Sequence, residues 1–359
     1  MKIALVAPFE EPVPPRTYGG TELVVYNLAE QLVTLGHDVA VYASGDSNTS
    51  ARLEPIFPIS LRADRTLDTP ELREAMKMIG IGRLVNRLNS EDFDIIHNHL
   101  GWRLLAFAGQ LSAPVITTFH GPLSVPYYQR VLGEIGQTPF VSISNAQRRP
   151  FPGLNYIATV YNGIDCASFQ YNEHPKEYFA FLGRFSPEKG PVTAIRAAQA
   201  ANVSLIMAGK VDLADRDYFA QQVEPLIDGQ QIRFIGEVNH AQKNELLQSA
   251  RAILIPIDWE EPFGLVMIEA LATGTPVIAH RRGSVPEIIE QDVGCVTDSF
   301  EQMVEAIGSV HHISRARCRE YACDRFGCQA MAQGYLAAYE KILEGDPQPN
   351  GKLASALVF

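Results

Sequence analysis

One feature constrains the fold more than any other. Short, continuous apolar runs alternate with longer stretches of helical spacing, and the alternation occurs in two successive series. Residues 3–7 form the first run. A segment that is apolar at every position belongs to a parallel strand covered on both faces. Gly19 and Gly20 then open a helical pattern carried by Leu23, Val24, Leu28, Leu32 and Leu35. Gly36 closes it, and residues 39–42 read as the next strand. Strand, helix and strand in about 40 residues make a βαβ unit. Further strand-like runs lie at 94–97, 114–118 and 140–143, with helices expected over 70–89 and 101–111.

The alternation restarts after Tyr171. Residues 171–176 are polar and read as a domain boundary. Strands are expected at 178–182, 203–208, 232–235, 252–256 and 276–279, with helical patterns starting near Pro191, Ala214, Ala241, Gly264 and Phe300. The two series predict an α/β chain of two Rossmann-like, doubly wound parallel sheets. Each such sheet binds ligands at the C-terminal ends of its strands. The expected domains are 1–170 and 171–330. Residues 331–359 follow as a C-terminal helix, able to pack back on the first domain, and a frayed tail.

Bulk properties narrow the function classes. The chain has 359 residues, 46% apolar and 20% charged, as for an ordinary folded protein of about two domains. Its net charge is −11, and no Lys/Arg run could track a nucleic-acid backbone, so nucleic acid is not an expected partner. Five cysteines without a C-x-x-C pair argue against a disulfide framework or zinc ribbon. The N-terminal apolar run is too short for a secretory signal and nothing approaches a membrane span, so the expected location is the cytoplasm. No feature argues for membrane association, which the sequence leaves open.

The richest constellation is residues 260–270, which follow the strand at 252–256. Gly264 permits close backbone approach. The N–H groups of Leu265 and Val266 would open a helix and seat a phosphate. Glu269 lies four residues past Leu265, on the same helical face, and its carboxylate can accept from both hydroxyls of a ribose. It sits in an apolar segment and therefore needs a partner. Glu261, in the loop, can meet a sugar hydroxyl. The competing reading is a solvated acidic turn before a core helix. A second cluster, residues 183–191, places Arg184 and Lys189 on one strand-to-helix loop. Two cations there suit a diphosphate leaving group, and two solvated surface cations are the alternative.

These pieces together resemble the retaining glycosyltransferases of family 4, whose GT-B fold sets two Rossmann-like domains across a central cleft. The resemblance rests on Gly183-Arg184 with Lys189-Gly190, on Gly236-Glu237-Val238, and on Glu261 and Glu269 with seven residues between them. Gly274-Thr275-Pro276 and Gly283-Ser284-Val285-Pro286-Glu287 add to it. It implies that Arg184 and Lys189 hold the diphosphate, Glu261 the donor sugar and Glu269 the ribose, with backbone near Val238 along the base. It further implies a metal-independent reaction without cofactor, from a nucleotide sugar, with a lean to UDP, to a small-molecule, glycan or lipid acceptor.

In the first half, Gly19-Gly20-Thr21-Glu22 matches the family's glycine pair. Physically it is a helix N-terminus with bare backbone, able to approach phosphate or sugar. His120 ends the strand at 114–118, where the resemblance implies a contact to the donor sugar. His97 and His99 alternate at another strand end. They could bind metal or serve a nuclease, but lack a third ligand nearby in sequence, and a cleft-lining role is preferred. Ser142, Ser144 and Asn162-Gly163-Ile164-Asp165 also match family patterns. The same architecture serves nucleotide-sugar epimerases, phosphorylases and non-catalytic sugar-nucleotide binders. A dinucleotide oxidoreductase is disfavoured because no G-x-G-x-x-G follows residues 3–7.

Overall fold

The computed structural model describes residues 1–16, 19–135 and 138–345; the tail read above as frayed lies largely outside them. The chain divides into two compact units. One comprises Met1–Gly163 together with the chain from Cys328 onward, the other Ile164–Gly327.

The first unit is built on a seven-stranded parallel sheet. Its strands are β1 (Lys2–Val6), β2 (Asp38–Ser44), β3 (Arg52–Phe57), β4 (Ile95–Asn98), β5 (Val115–Thr118), β6 (Phe140–Ser142) and β7 (Tyr156–Thr159), in the order β3-β2-β1-β4-β5-β6-β7. The chain winds outward from β1 to one edge, then returns to β4 and winds to the other. The order therefore reverses between β1 and β4. Both strands are buried at nearly every position, as parallel strands under helices on both faces must be. The C-terminal helix Cys328–Glu344 belongs to this unit and packs on the helix Gly20–Thr34 and on β7.

The second unit repeats the plan with six parallel strands. They are β8 (Tyr178–Leu182), β9 (Ser204–Ala208), β10 (Ile232–Phe234), β11 (Ile253–Ile255), β12 (Val277–His280) and β13 (Gly294–Thr297), in the order β10-β9-β8-β11-β12-β13. Here the order reverses between β8 and β11. An α/β sheet leaves a crevice at such a reversal, outside the strand C-termini, because the connections leave in opposite directions.

Two expected helices take other forms. Residues 101–111 hold a single turn, Trp102–Leu105, followed by a 3-10 turn, Ala108–Gln110. The helical pattern from Ala214 breaks into short pieces, Leu213–Asp215, Arg216–Tyr218, the π-helical Phe219–Val223 and Glu224–Leu226. Pro225 in the last piece lacks the N–H that a continuing helix needs.

Candidate active site

In the second unit, the loops after β8 and β11 flank the reversal and are tied to each other. The β8 loop is anchored by Phe185, which is fully buried. Its ring lies 5.5 Å from Phe181, 5.4 Å from Phe219 and 4.7 Å from Phe234. Gly190 ends the loop in left-handed backbone with φ +70, and a Cβ there would stand 2.1 Å from the Pro256 carbonyl oxygen. Only glycine lets the two loops approach this closely. The Asp258 N–H donates to the Glu188 carbonyl at 2.9 Å, completing the connection.

This backbone brings Lys189 and Glu261 together. Lys189 Nζ lies 2.5 Å from Glu261 Oε2 and 4.5 Å from the centre of the Trp259 ring. The indole N–H of Trp259 donates to the same carboxylate oxygen at 3.1 Å. Arg184 donates to Glu188 at 2.7 Å, and so does the Ser186 hydroxyl, also at 2.7 Å. Burial opposes ionisation of Glu188. The Ser186 hydroxyl, the residue's own backbone N–H and the Arg184 charge outweigh it and hold the carboxyl below the ordinary range. Lys210 pairs with Asp212 at 2.7 Å on the neighbouring β9 loop. Each of these three cations faces a carboxylate.

The segment 260–264 is clamped from behind. Gly283 N–H donates to Glu260 Oε2 at 2.9 Å, Ser284 N–H to the Glu261 carbonyl at 2.9 Å, and Ser284 Oγ to the Phe263 carbonyl at 2.8 Å. A Cβ on Gly283 would stand 2.2 Å from the Glu261 carbonyl oxygen. The Gly-Ser-Val-Pro-Glu turn thus acts on the site through the backbone that carries Glu261. Gly264 then caps the helix Leu265–Ala272 with φ +80 and no side-chain cap, leaving the first turn to backbone alone at Leu265 and Val266. Such an end carries a partial positive charge and unmet N–H donors.

Glu269 is 5% exposed on that helix. Its partner is Lys243, whose Nζ lies 2.5 Å from Glu269 Oε1 and 5.5 Å from the centre of the Phe169 ring. Sequence reasoning demanded a partner for Glu269 but did not find Lys243. The residue sits in the otherwise polar helix His240–Ser249, where nothing marks one Lys as turned inward. Trp259 and Glu188 were missed as well. Val238 is buried in the segment after β10, two residues past Gly236, whose carbonyl accepts from Gly209 N–H at 2.9 Å.

In the first unit, the loops after β1, β4 and β5 stand at and beside its reversal. Gly19 caps the helix Gly20–Thr34 without a side-chain bond. A Cβ on Gly19 would come within 2.6 Å of Pro15 Cβ and 3.1 Å of Glu22 Oε2, so glycine lets the proline loop lie against the helix end. Glu22 is 5% exposed, and burial foremost pushes its carboxyl up to about 7.

His120 follows β5. Gln147 Nε2 holds the backbone on both sides of it, donating to the Phe119 and Gly121 carbonyls at 2.8 and 2.9 Å. His120 Nε2 lies 2.9 Å from His99 Nδ1. His97 is fully enclosed, with Nδ1 2.6 Å from the Tyr339 hydroxyl and Nε2 2.9 Å from Thr118 Oγ1. It ties β4 and β5 to the C-terminal helix and lines no surface. Burial pulls all three imidazoles down, His120 to about 4. Ser142 bonds Thr159 at 2.8 Å, Ser144 caps a helical turn by accepting from Gln147 N–H at 3.0 Å, and Asp165 caps the turn Cys166–Ser168. Among the described residues, no group of three or more His, Cys, Asp or Glu is arranged to hold a metal ion.

With this geometry in view, comparison with known proteins is decisive. Residues 18–168 match the model of Glycosyltransferase Family 4, and residues 167–325 match that of Glycosyl transferases group 1. The chain belongs to the family 4 glycosyltransferases. It is similar to the phosphatidyl-myo-inositol mannosyltransferase of Mycolicibacterium smegmatis, 28% identical over 313 residues that span 78% of this chain and 76% of the relative. Among solved structures it resembles AviGT4, a glycosyltransferase involved in avilamycin A biosynthesis. That likeness has a TM-score of 0.74 at 24% identity, over 96% of this chain and 99% of the other. It also resembles Anabaena HepE in complex with UDP-glucose, with a TM-score of 0.73 at 17% identity over 95% and 100%. The fold of this family 4 glycosyltransferase is GT-B, with a Rossmann-like parallel sheet in each unit. Among the described residues, no helix is long and apolar enough to cross a membrane.

Proposed function

We propose that the chain is a retaining hexosyltransferase that moves a sugar from a UDP-sugar to an acceptor hydroxyl, without a divalent metal. The observation that carries this is the pairing of Lys189 with Glu261 across the β8–β11 reversal, beside the uncapped end of the helix Leu265–Ala272. A cation, a carboxylate and a set of unmet N–H donors stand where a doubly wound sheet takes its ligand. A nucleoside diphosphate sugar needs all three: a cation and N–H donors for the diphosphate, a carboxylate for sugar hydroxyls.

In this reading Arg184 and Lys189 neutralise the charge that develops on the diphosphate as the C1–O bond breaks. The N–H groups of Leu265 and Val266 hold phosphate oxygens, and Gly264 keeps the approach open. Glu261 accepts from the sugar, Glu269 from the ribose hydroxyls, and backbone near Val238 lies along the base. From the first unit, the bare helix end at Gly19 and Gly20 approaches phosphate or sugar, and His120 meets the donor sugar. The acceptor oxygen bonds to C1 on the face that the nucleotide leaves, and the departing phosphate oxygen takes the acceptor's proton. Configuration is kept, and no side chain need become a nucleophile. The acceptor is a small molecule, a glycan or a lipid, and the reaction runs in the cytoplasm. The UDP-glucose complex of the HepE neighbour supports the choice of uracil.

The test is a thermal-shift screen against UDP-, GDP- and ADP-sugars, since a ligand that binds only the native state raises the melting temperature. Product NMR and an assay after exhaustive EDTA treatment follow. Stabilisation by UDP-sugars, release of free UDP and a retained anomeric configuration are expected, with activity unchanged by EDTA. Activity lost in EDTA and restored by Mg²⁺ or Mn²⁺, without a change in circular dichroism, overturns the metal-independent mechanism. Conversion of the donor to its epimer without release of UDP overturns transfer.

A further inference from the structure

We infer that His99 is a positioning residue that fixes the tautomer of His120, so that His120 meets the sugar as a hydrogen-bond donor through Nδ1. The inference rests on the reading of His120 as the sugar-facing residue of the first unit.

The two rings are joined by one contact, His99 Nδ1 to His120 Nε2 at 2.9 Å. Their centroids are 5.2 Å apart and their planes differ by 26°, a separation that fits two rings joined end to end through one N–H···N bond. Burial holds both rings neutral near pH 7. A neutral imidazole carries one proton and one bare nitrogen. The pair therefore shares two protons over four nitrogens, and one proton lies in the contact.

The second proton has two places to be, His99 Nε2 or His120 Nδ1. Both atoms are buried and neither has a hydrogen-bond partner. Either arrangement leaves one N–H unmet, and their surroundings decide between them. His99 is 4% exposed, with the His97 ring at 3.9 Å and the Tyr335 ring at 6.4 Å between centroids. His120 Nδ1 is enclosed, but the residue as a whole is partly exposed at the loop end of β5 and is the nearer of the two to solvent. An unmet N–H is most unfavourable where it lies farthest from any solvent or ligand oxygen. The proton therefore sits on His120 Nδ1, and His99 donates from Nδ1 to His120 Nε2. A ligand oxygen is what satisfies the remaining donor, and a sugar hydroxyl supplies one.

The arrangement also explains why a second histidine stands here. Left alone, a neutral imidazole exchanges between its two tautomers. The bond from His99 removes the choice, while Gln147 fixes the backbone on either side. His97 takes no part, since both of its nitrogens are engaged elsewhere.

Long-range ¹H–¹⁵N NMR of the imidazoles in the full-length protein tests the assignment. Wild-type His120 should show a protonated Nδ1 and a bare Nε2. In His99→Phe it should shift to a mixture or to the opposite tautomer. The same variant should lower kcat/KM for the donor roughly tenfold, the worth of one oriented hydrogen bond, and His99→Asn, which can donate from near the same position, should recover most of it. UDP affinity should be unchanged in both variants, which also reports that they fold. If His120→Ala is impaired while His99→Phe keeps the wild-type tautomer and rate, the positioning role is wrong and the function stands. If His120→Ala transfers at the wild-type rate, the role of His120 itself is wrong. A loss confined to KM for the acceptor also overturns the inference, since it would place the oxygen on the other substrate.

Discussion

Lys189 and Glu261 are 72 positions apart in the chain and 2.5 Å apart in space. The pair is internally neutral, so a diphosphate arriving at Lys189 competes with the Glu261 carboxylate for the same ammonium. Removing the carboxylate's charge should release the cation. Glu261→Gln is therefore expected to bind UDP at least as tightly as wild type while losing sugar transfer. Calorimetry with UDP and a transfer assay check this. Weaker UDP binding with transfer intact would reverse the assigned roles.

Arg184 and Lys189 are assigned to the charge that builds on the leaving group. Lys189→Ala or Arg184→Ala should each lower kcat by about 100-fold, as for other preorganised groups that meet transition-state charge. Arg184 is itself held by Glu188 at 2.7 Å, so Glu188→Gln should have a smaller effect in the same direction by loosening the guanidinium. Wild-type turnover in both alanine variants would sink the assignment.

Lys243 and Glu269 form an ion pair with side chains 17% and 6% exposed. Taking one partner from such a pair strands the other charge in a poorly solvated place. Lys243→Met should lower unfolding free energy by about 3 kcal/mol in urea. Replacing both residues by methionine should recover most of that loss. Nucleotide affinity should fall in both Glu269→Gln and the double variant, because neither keeps the carboxylate that accepts from the ribose. Urea titrations read the first effect and calorimetry the second. Full stability in Lys243→Met would show that Glu269 is solvated.

Interior strands such as β8, and β1 beyond Lys2, were legible because both faces are buried and their positions are apolar. Of the edge strands, β10 was read at 232–235, but β3, β7 and β13 were not. Arg52-Leu53-Glu54-Pro55 opens β3, pairs on one side only, and shows no continuous apolar run. β7 and β13 also lie at sheet edges, and each is only four residues long. At the candidate site, residues fixed by local spacing could be read: the glycine before a helix, and carboxylates or cations in loops after strands. Lys243 and the His99–His120 bond could not, since each depends on which of several polar side chains the tertiary fold turns inward.

Gly190 offers a test of the loop packing. Its φ is +70, and a Cβ would lie 2.1 Å from the Pro256 carbonyl oxygen. Gly229 has a similar φ of +73 but nothing within 4 Å of the same position. Gly229→Ala should therefore show only the backbone penalty, about 1 kcal/mol. Gly190→Ala adds a clash with rigid backbone, and should lose more stability and displace Lys189 from Glu261. Equal losses in the two variants, read by denaturant titration, would mean that the loops are not held this closely.

Glu22 makes stability depend on pH in an unusual direction. Burial is the main cause of its shift, aided by the nearby Glu11 and Glu10 charges and opposed by its own backbone N–H and by Arg62. Its carboxyl titrates at about 7 in the folded chain against a reference of 4.5. Between those values the native state holds a proton that the unfolded state has released. Stability therefore falls as pH rises from 4.5 to about 7, and the penalty is constant above that. The full effect is about 3 kcal/mol at most. An amide of the same shape cannot ionise, so Glu22→Gln should behave like wild type with the proton always present. The difference in melting temperature, variant minus wild type, should grow across that window and then level off. Other groups titrate in both proteins alike and cancel in the difference. A difference that stays flat from pH 4.5 to 8 would show that Glu22 ionises in contact with water and is not enclosed at the helix end.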